Sequence, residues 1–283
     1  MKNKIRLLVV VLICAVMLTA CASASKDLTA GKSAEQIVTD AFTKWSQMKS
    51  YELDLTSTIK MKTGQAVTDM SMTGNITVFQ NPLKIKLVME TTLPETDKMH
   101  IVNYMEQLDG KVIIYQQMNG QWQKTVIDDP AMAELMSIDP AKNLQLFMDN
   151  LKKAETTGEE KIGEKNTVKI ELISSSKIFN EILNSTAGSS LGIPENLISS
   201  ETLAKIGDMK NTIWVDKATL EIVQCQMDLT ENMKNLGNAL SEEQNLPKDI
   251  VNIIKNMEMA LTYTIRNHNQ AQDFTIPDEA KNA

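Results

Sequence analysis

The sequence predicts an α+β fold: a curled antiparallel sheet, a partial β-barrel, with helices covering its concave face. Three observations predict it. From residue 51 onward, apolar and polar residues alternate with a period of two through segment after segment, as in strands with one buried and one wet face. Asp109-Gly110 and Asn119-Gly120 separate such segments, and these dipeptides supply the positive φ angles of tight two-residue hairpins. About ten sequential antiparallel strands result, and accumulated twist makes a sheet of that size curl or close.

The chain opens with Lys2, Lys4 and Arg6 and then carries no charge from Leu7 to Ala20. A positive start, an apolar run and a small-residue end are the three regions of an export signal. At 1.5 Å per residue the apolar run spans roughly 21 Å, short of the ~30 Å hydrocarbon core of a bilayer. Residues 1–20 are therefore expected to be removed on export. Leu18-Thr19-Ala20-Cys21 resembles the lipobox of bacterial lipoproteins, in which small residues fit a peptidase cleft and the next thiol takes a diacylglycerol. The resemblance implies that Cys21 is lipidated and that the mature protein sits on the extracytoplasmic face of the cell membrane. Two acyl chains at ~0.8 kcal/mol per buried methylene give a gross anchoring energy on the order of 20 kcal/mol. Residues 21–32 hold one Leu among small and polar residues, so they are expected to be a flexible tether.

Ser33 and Gln36 form a capping-box pattern, and Ile37, Val38, Ala41, Phe42, Trp45 and Met48 recur at helical spacing, predicting a helix over 33–49. The period then becomes two. Tyr51, Leu53, Leu55, Ile59 and Met61 alternate with Glu52, Asp54, Thr56, Thr58 and Lys60. The alternation returns in Met70, Met72, Ile76 and Val78 and in Leu83, Ile85, Leu87 and Met89, with Gly64 and Asn81-Pro82 as turns. Strands over 99–108, 111–118 and 121–127 follow around the two hairpin dipeptides. A helical pattern runs from Asp128-Asp129-Pro130 to about residue 150. Residues 151–174 make two strands around Ile162-Gly163. A second helical block covers 177–184 and 195–206, interrupted by a Gly- and Ser-rich loop over 188–194. Strands over 211–216 and 220–230, a polar helix over 232–244 and a long final strand complete the pattern. That last strand places Ile253, Met257, Met259, Leu261, Tyr263 and Ile265 on one face. No linker composition divides residues 33–283, which are read as one domain, with a weak echo between 51–61 and 255–266.

Removing the leader takes three basic residues and no acid, so the net charge moves from −7 to −10. A balance this acidic argues against nucleic acid as a partner and against broad adhesion to anionic headgroups. Cys14 is lost with the leader and Cys21 is used by lipid, which leaves Cys225 alone, sharing parity with Val223, Met227 and Leu229 as a small buried hydrophobe. Sixteen methionines remain, against 4% aromatic residues. Methionine is flexible and polarizable, and suits a surface that repacks around varied apolar partners.

Taken together, these features resemble the LolA-like lipoproteins. The resemblance is carried by the lipobox, the helix before the first strand, and two hairpins. One hairpin is Leu108-Asp109-Gly110-Lys111-Val112 with Tyr115 and Trp122 downstream; the other is Trp214-Val215-Asp216-Lys217-Ala218-Thr219-Leu220-Glu221-Ile222. The chain is most similar to an uncharacterised lipoprotein family of Gram-positive bacteria within that superfamily. The resemblance implies a curled LolA/LolB-like sheet whose helices and concave face often hold a lipid.

Motifs for chemistry are sparse. His100 and His268 stand without a second histidine or cysteine at ligand spacing, so no metal site is expected and both read as polar sheet residues. No phosphate loop, nucleophile elbow or zinc-protease helix is present. Asp128-Asp129, Glu159-Glu160 and Glu242-Glu243 read as solvated charges. The sequence implies no cofactor and no enzyme. It points to a membrane-tethered carrier or sensor of a lipid or other apolar ligand, bound in the bowl of the sheet beneath the helices of 177–206. Strand parity alone nominates Leu53, Leu55, Met70, Met72, Leu87, Met89, Met257, Met259 and Leu261 as lining residues. The alternative is a cell-surface protein-interaction module with a filled core, its protein partners unnamed by any motif.

Overall fold

The computed structural model describes residues 26–63, 66–92, 98–118, 120–128, 145, 147–177, 200–242 and 247–283. The leader, Cys21, the expected helix before residue 145 and the 188–194 loop lie outside the described residues.

Helix α1 (Ala34–Ser46) begins at the capping box. The Gln36 amide donates to Ser33 Oγ at 3.2 Å, and the Ser33 amide donates to Gln36 Oε1 at 3.0 Å. Six strands follow as an antiparallel meander: β1 (Ser50–Thr63), β2 (Ala66–Gln80), β3 (Leu83–Thr92), β4 (Met99–Leu108), β5 (Lys111–Met118) and β6 (Gln121–Ile127). Asp109 and Gly110 take φ of 52° and 78°, both positive, which the twist of a two-residue hairpin demands. The second half supplies β7 (Leu151–Ile162), β8 (Lys165–Ser174), α2 (Ser200–Ala204), β9 (Met209–Asp216), β10 (Ile222–Asp228), α3 (Thr230–Glu242), α4 (Lys248–Lys255) and β11 (Glu258–Arg266).

The two meanders join where β1 pairs with β11, giving one 11-stranded antiparallel sheet of order β6-β5-β4-β3-β2-β1-β11-β10-β9-β8-β7. The α+β class and the antiparallel sheet with helices over one face are those expected from the sequence. The sheet is open, with β6 and β7 at its edges and β1 in the middle. The weak echo between 51–61 and 255–266 belongs to strands that are neighbours: Leu55 lies opposite Tyr263, and Ile59 opposite Met259. Sharing a face, they are held to the same inward parity.

One face of the sheet, here the inner face, carries α1, α3 and α4. Ile37, Val38 and Ala41 of α1 pack with Tyr51, Ile170, Val215 and Ile265, while Leu236 and Leu240 of α3 and Val251 of α4 pack with Met209, Met259 and Leu261. The outer face is covered differently. The C-terminal segment crosses it, ending in α5 (Asp278–Lys281), and seats Phe274, Ile276 and Ala280 on Tyr104, Tyr115 and Trp122. Lys84 clamps this strap, its Nζ 2.6 Å from Asp273 Oδ1 and 4.5 Å from the Phe274 ring centroid. The sequence pattern held no sign of the strap, because residues 267–277 have no regular period to read.

Three expectations are corrected. Residues 248–255 form α4 where a long strand was expected, so Ile253 is helical and Met257 sits in the connection before β11. Ile250, Val251, Ile253 and Ile254 are spaced for a helix that starts after Pro247, and their β-branched character disguises it. Residues 27–32 belong to the domain and are no free tether. The Leu28 amide donates to Lys217 O at 2.7 Å, Thr29 is buried, and Lys217 Nζ reaches Asp27 at 3.1 Å. These contacts offset the entropy that composition alone left unbalanced. Finally, His268 stands in the turn after β11 and not in the sheet, its Nε2–H donating to Ile222 O at 3.0 Å.

Candidate functional site

Strand pairing fixes which side chains share the inner face. Across β2, β1 and β11 the rows read Ile76–Leu53–Ile265, Gly74–Leu55–Tyr263, Met72–Ser57–Leu261 and Met70–Ile59–Met259. The rows continue into β3 through Leu87 opposite Ile76 and Met89 opposite Gly74. Leu53, Leu55, Met70, Met72, Leu87, Met89, Met259 and Leu261 thus stand together on one face. Met257 does not join a row, since it precedes the strand.

The same pairing shows how methionine is used. Among the described residues, every methionine that falls within a strand, from Met61 in β1 to Met259 in β11, lies on the inner face. The outer face instead takes the aromatic residues Phe79, Tyr104, Tyr115 and Trp122. The division has a physical consequence. Rigid rings under the C-terminal strap hold one geometry, whereas unbranched thioether chains repack at little cost.

Among the described residues, helix cover on the inner face is uneven. Helix α1 lies against β7 and β10, α3 against β11 and α4 against β1. Met70, Met72, Leu87 and Met89 belong to none of the buried clusters and are half-buried. Gly74 lets the floor thicken locally: a Cβ there would stand 3.1 Å from Met89 Cγ and 3.2 Å from Val88 O, so the Met89 side chain lies across the glycine.

Polar groups interrupt this apolar floor. Ser57 Oγ, Asn103 Oδ1, Asn211 Oδ1 and Ser174 Oγ are buried without a hydrogen-bond partner, and pairing puts all four on the inner face. Burial raises the phenol pKa of Tyr263, opposite Leu55, with Cys225 adding to the effect. These groups were missed in the sequence. The sign of Ser57 was nonetheless present, as the one polar residue among the inward positions from Leu53 to Met61.

A second concavity, of about 590 Å³, lies where Asp27 meets the β7–β8 and β9–β10 turns. Lys165 and Lys217 each meet two carboxylates there. Lys217 Nζ lies 2.6 Å from Glu159 and 3.1 Å from Asp27, and Lys165 Nζ lies 3.0 Å from Glu221 and 3.7 Å from Asp216. A hydrogen bond from the Thr29 hydroxyl, with Lys217 adding to it, holds the Asp27 carboxyl down to about 2. Glu160 accepts the Trp214 indole N–H at 2.8 Å, so neither member of Glu159-Glu160 is simply solvated. Paired charges of this kind position the 27–32 segment. Among the described residues no group of three His, Cys, Asp or Glu could hold a metal ion, and no helix is long and apolar enough to cross a membrane.

The model of a family of unknown function, DUF6612, matches residues 33–283. A comparison with curated proteins finds no match. Among solved structures, the lipoprotein LppX of Mycobacterium tuberculosis is 11% identical, the alignment covers 85% of this chain and 97% of that one, and the TM-score is 0.47. LprF of Mycobacterium bovis is 14% identical, with 87% and 97% covered and a TM-score of 0.46. A Vibrio parahaemolyticus domain named for outer membrane lipoprotein sorting is 11% identical, with 87% and 96% covered and a TM-score of 0.26. None of these scores reaches 0.5, so what this chain does has to be read from its own residues.

Proposed function

The chain belongs to DUF6612, a family of unknown function, and we propose that it is a membrane-anchored extracytoplasmic lipoprotein of LolA-like type. In this role it binds an acyl chain or similar apolar ligand on its inner face and does not transform it. One observation carries the reading: among the described residues the strand methionines all point to that face, and those over β2 and β3 stay half-buried beside the helix-covered part. Flexible side chains bordering a packed core let an entering chain take its place without breaking that core. A sixteen-carbon chain buried at ~0.8 kcal/mol per methylene gains on the order of 10 kcal/mol before its ordering cost, enough for stable capture. The lipid on Cys21 would hold the domain at the surface from which such chains come.

The test is native mass spectrometry of residues 22–283 purified without detergent, followed by organic extraction. The expected result is a stoichiometric lipid-sized adduct, reduced at least tenfold in Met72→Asp and Met89→Asp variants that keep wild-type circular dichroism. A clean apo mass, unchanged after incubation with membrane lipid vesicles, would overturn the reading. It would leave the protein-interaction module, with a core that needs no ligand, as the role to pursue.

A further inference from the structure

Ser57 is one of the inner-face residues that an apolar ligand alone does not explain, and the one in the middle strand. It stands in β1, the middle strand of the sheet, with Leu55 and Ile59 as its same-face neighbours along the strand and Met72 and Leu261 across it. Its side chain is completely buried, and its hydroxyl has no hydrogen-bond partner. The backbone around it offers none, because β1 is paired on both sides without a break in register from Glu52 to Lys60. A buried hydroxyl left unpaired is destabilising where alanine or valine would serve the strand as well or better.

The side chains bordering Ser57 on the β2 side are movable, while α4 lies against β1. Met72 is its direct neighbour on β2, and in the adjacent row Met89 lies across Gly74. Both are unbranched chains that turn aside at small cost. A chain that displaces them comes alongside a hydroxyl in the middle strand of the sheet.

Resting on the proposed function above, we infer that the ligand is amphipathic: an ester-linked acyl lipid whose carbonyl oxygen accepts the Ser57 hydroxyl proton. A pure hydrocarbon would leave that donor unpaired, and an ester carbonyl within the apolar run of a lipid supplies an acceptor without bringing a charge into the bowl. Ser57 then sets the depth at which the chain lies.

The experiment uses delipidated residues 22–283, wild type and Ser57→Ala, loaded with the fluorescent apolar probe N-phenyl-1-naphthylamine. Displacement is measured with methyl palmitate and with heptadecane, which share chain length and differ in the ester. The wild type should prefer methyl palmitate. In Ser57→Ala the affinity for methyl palmitate should fall about tenfold, as for loss of one buried hydrogen bond, with heptadecane unchanged. The Tm of the delipidated variant should be equal to or above wild type, since an unpaired hydroxyl has been removed. Ser57→Cys, of similar shape with a weak donor, should behave like alanine and stands in for it if that variant does not fold. Equal displacement by the two compounds, or a Ser57→Ala variant with lowered Tm and unchanged preference, would overturn the ester assignment while leaving an apolar site. Displacement by neither compound would overturn both the assignment and the proposed function.

Discussion

At the residue scale, the inner face separates groups that pack from groups that wait. Cys225 is of the first kind. It lies opposite Tyr263 and Ile213 beside the α1 cluster, and burial pushes its thiol up to about 12. The thiolate is the reacting species, so at pH 8 native protein should react with a thiol reagent such as Ellman's reagent about a thousandfold more slowly than urea-unfolded protein. Comparable rates would show that the side chain is open to solvent. Its parity with Val223 and Met227 made this environment legible in the sequence. Ser57 was legible only as a gap in an apolar row, because whether a strand serine is buried depends on what two other strands lay over it.

At the element scale, the packing of α3 on α4 turns on one missing side chain. A Cβ at Gly237 would fall 2.6 Å from the Lys255 backbone, so the two helices approach through that glycine. In an isolated helix a glycine-to-alanine change is stabilising by about 1 kcal/mol. Here Gly237→Ala should instead destabilise by about 1–3 kcal/mol, because α4 must shift away from Val251's seat in the core. The urea unfolding midpoint measures this, and an increase would show that the helices do not touch there. The hairpin β4–β5 and helix α1 were readable from sequence because Asp109-Gly110 and the Ser33–Gln36 box are local chemistry. Helix α4 was misread for the opposite reason: its isoleucines favour strands, and only the seating of Val251 against α3 settles the contest.

At the scale of the whole molecule, stability should depend on pH through His268. Its ring is held between Ile222 O and Glu221, with Lys165 and Lys44 also facing it, and burial lowers its pKa below the ordinary 6.5. The unfolded chain therefore takes up a proton first as pH falls. Stability present above pH 6.5 is lost as pH drops from there through the lower folded value, with a slope of at most about 1.4 kcal/mol per pH unit from this one group. Unfolding midpoints measured from pH 7.5 to 5.5 should decline, and His268→Gln, which keeps a donor for Ile222 O, should flatten the decline. An unchanged slope in the variant would place the titration elsewhere.

What the sequence by itself determined was whatever depends on neighbours within a few residues: the inward parity of the methionines, the capping of α1, the hairpin turns and the acidic surface. Tertiary structure decided the rest. It joined β1 to β11 across some two hundred residues, laid the C-terminal strap over Tyr104 and Trp122, and docked Leu28 on Lys217. It also enclosed the Ser57 hydroxyl. A period of two says which side a residue faces, but burial is the sum over every strand and helix that arrives there, and chain segments far apart in sequence leave no local pattern of their meeting.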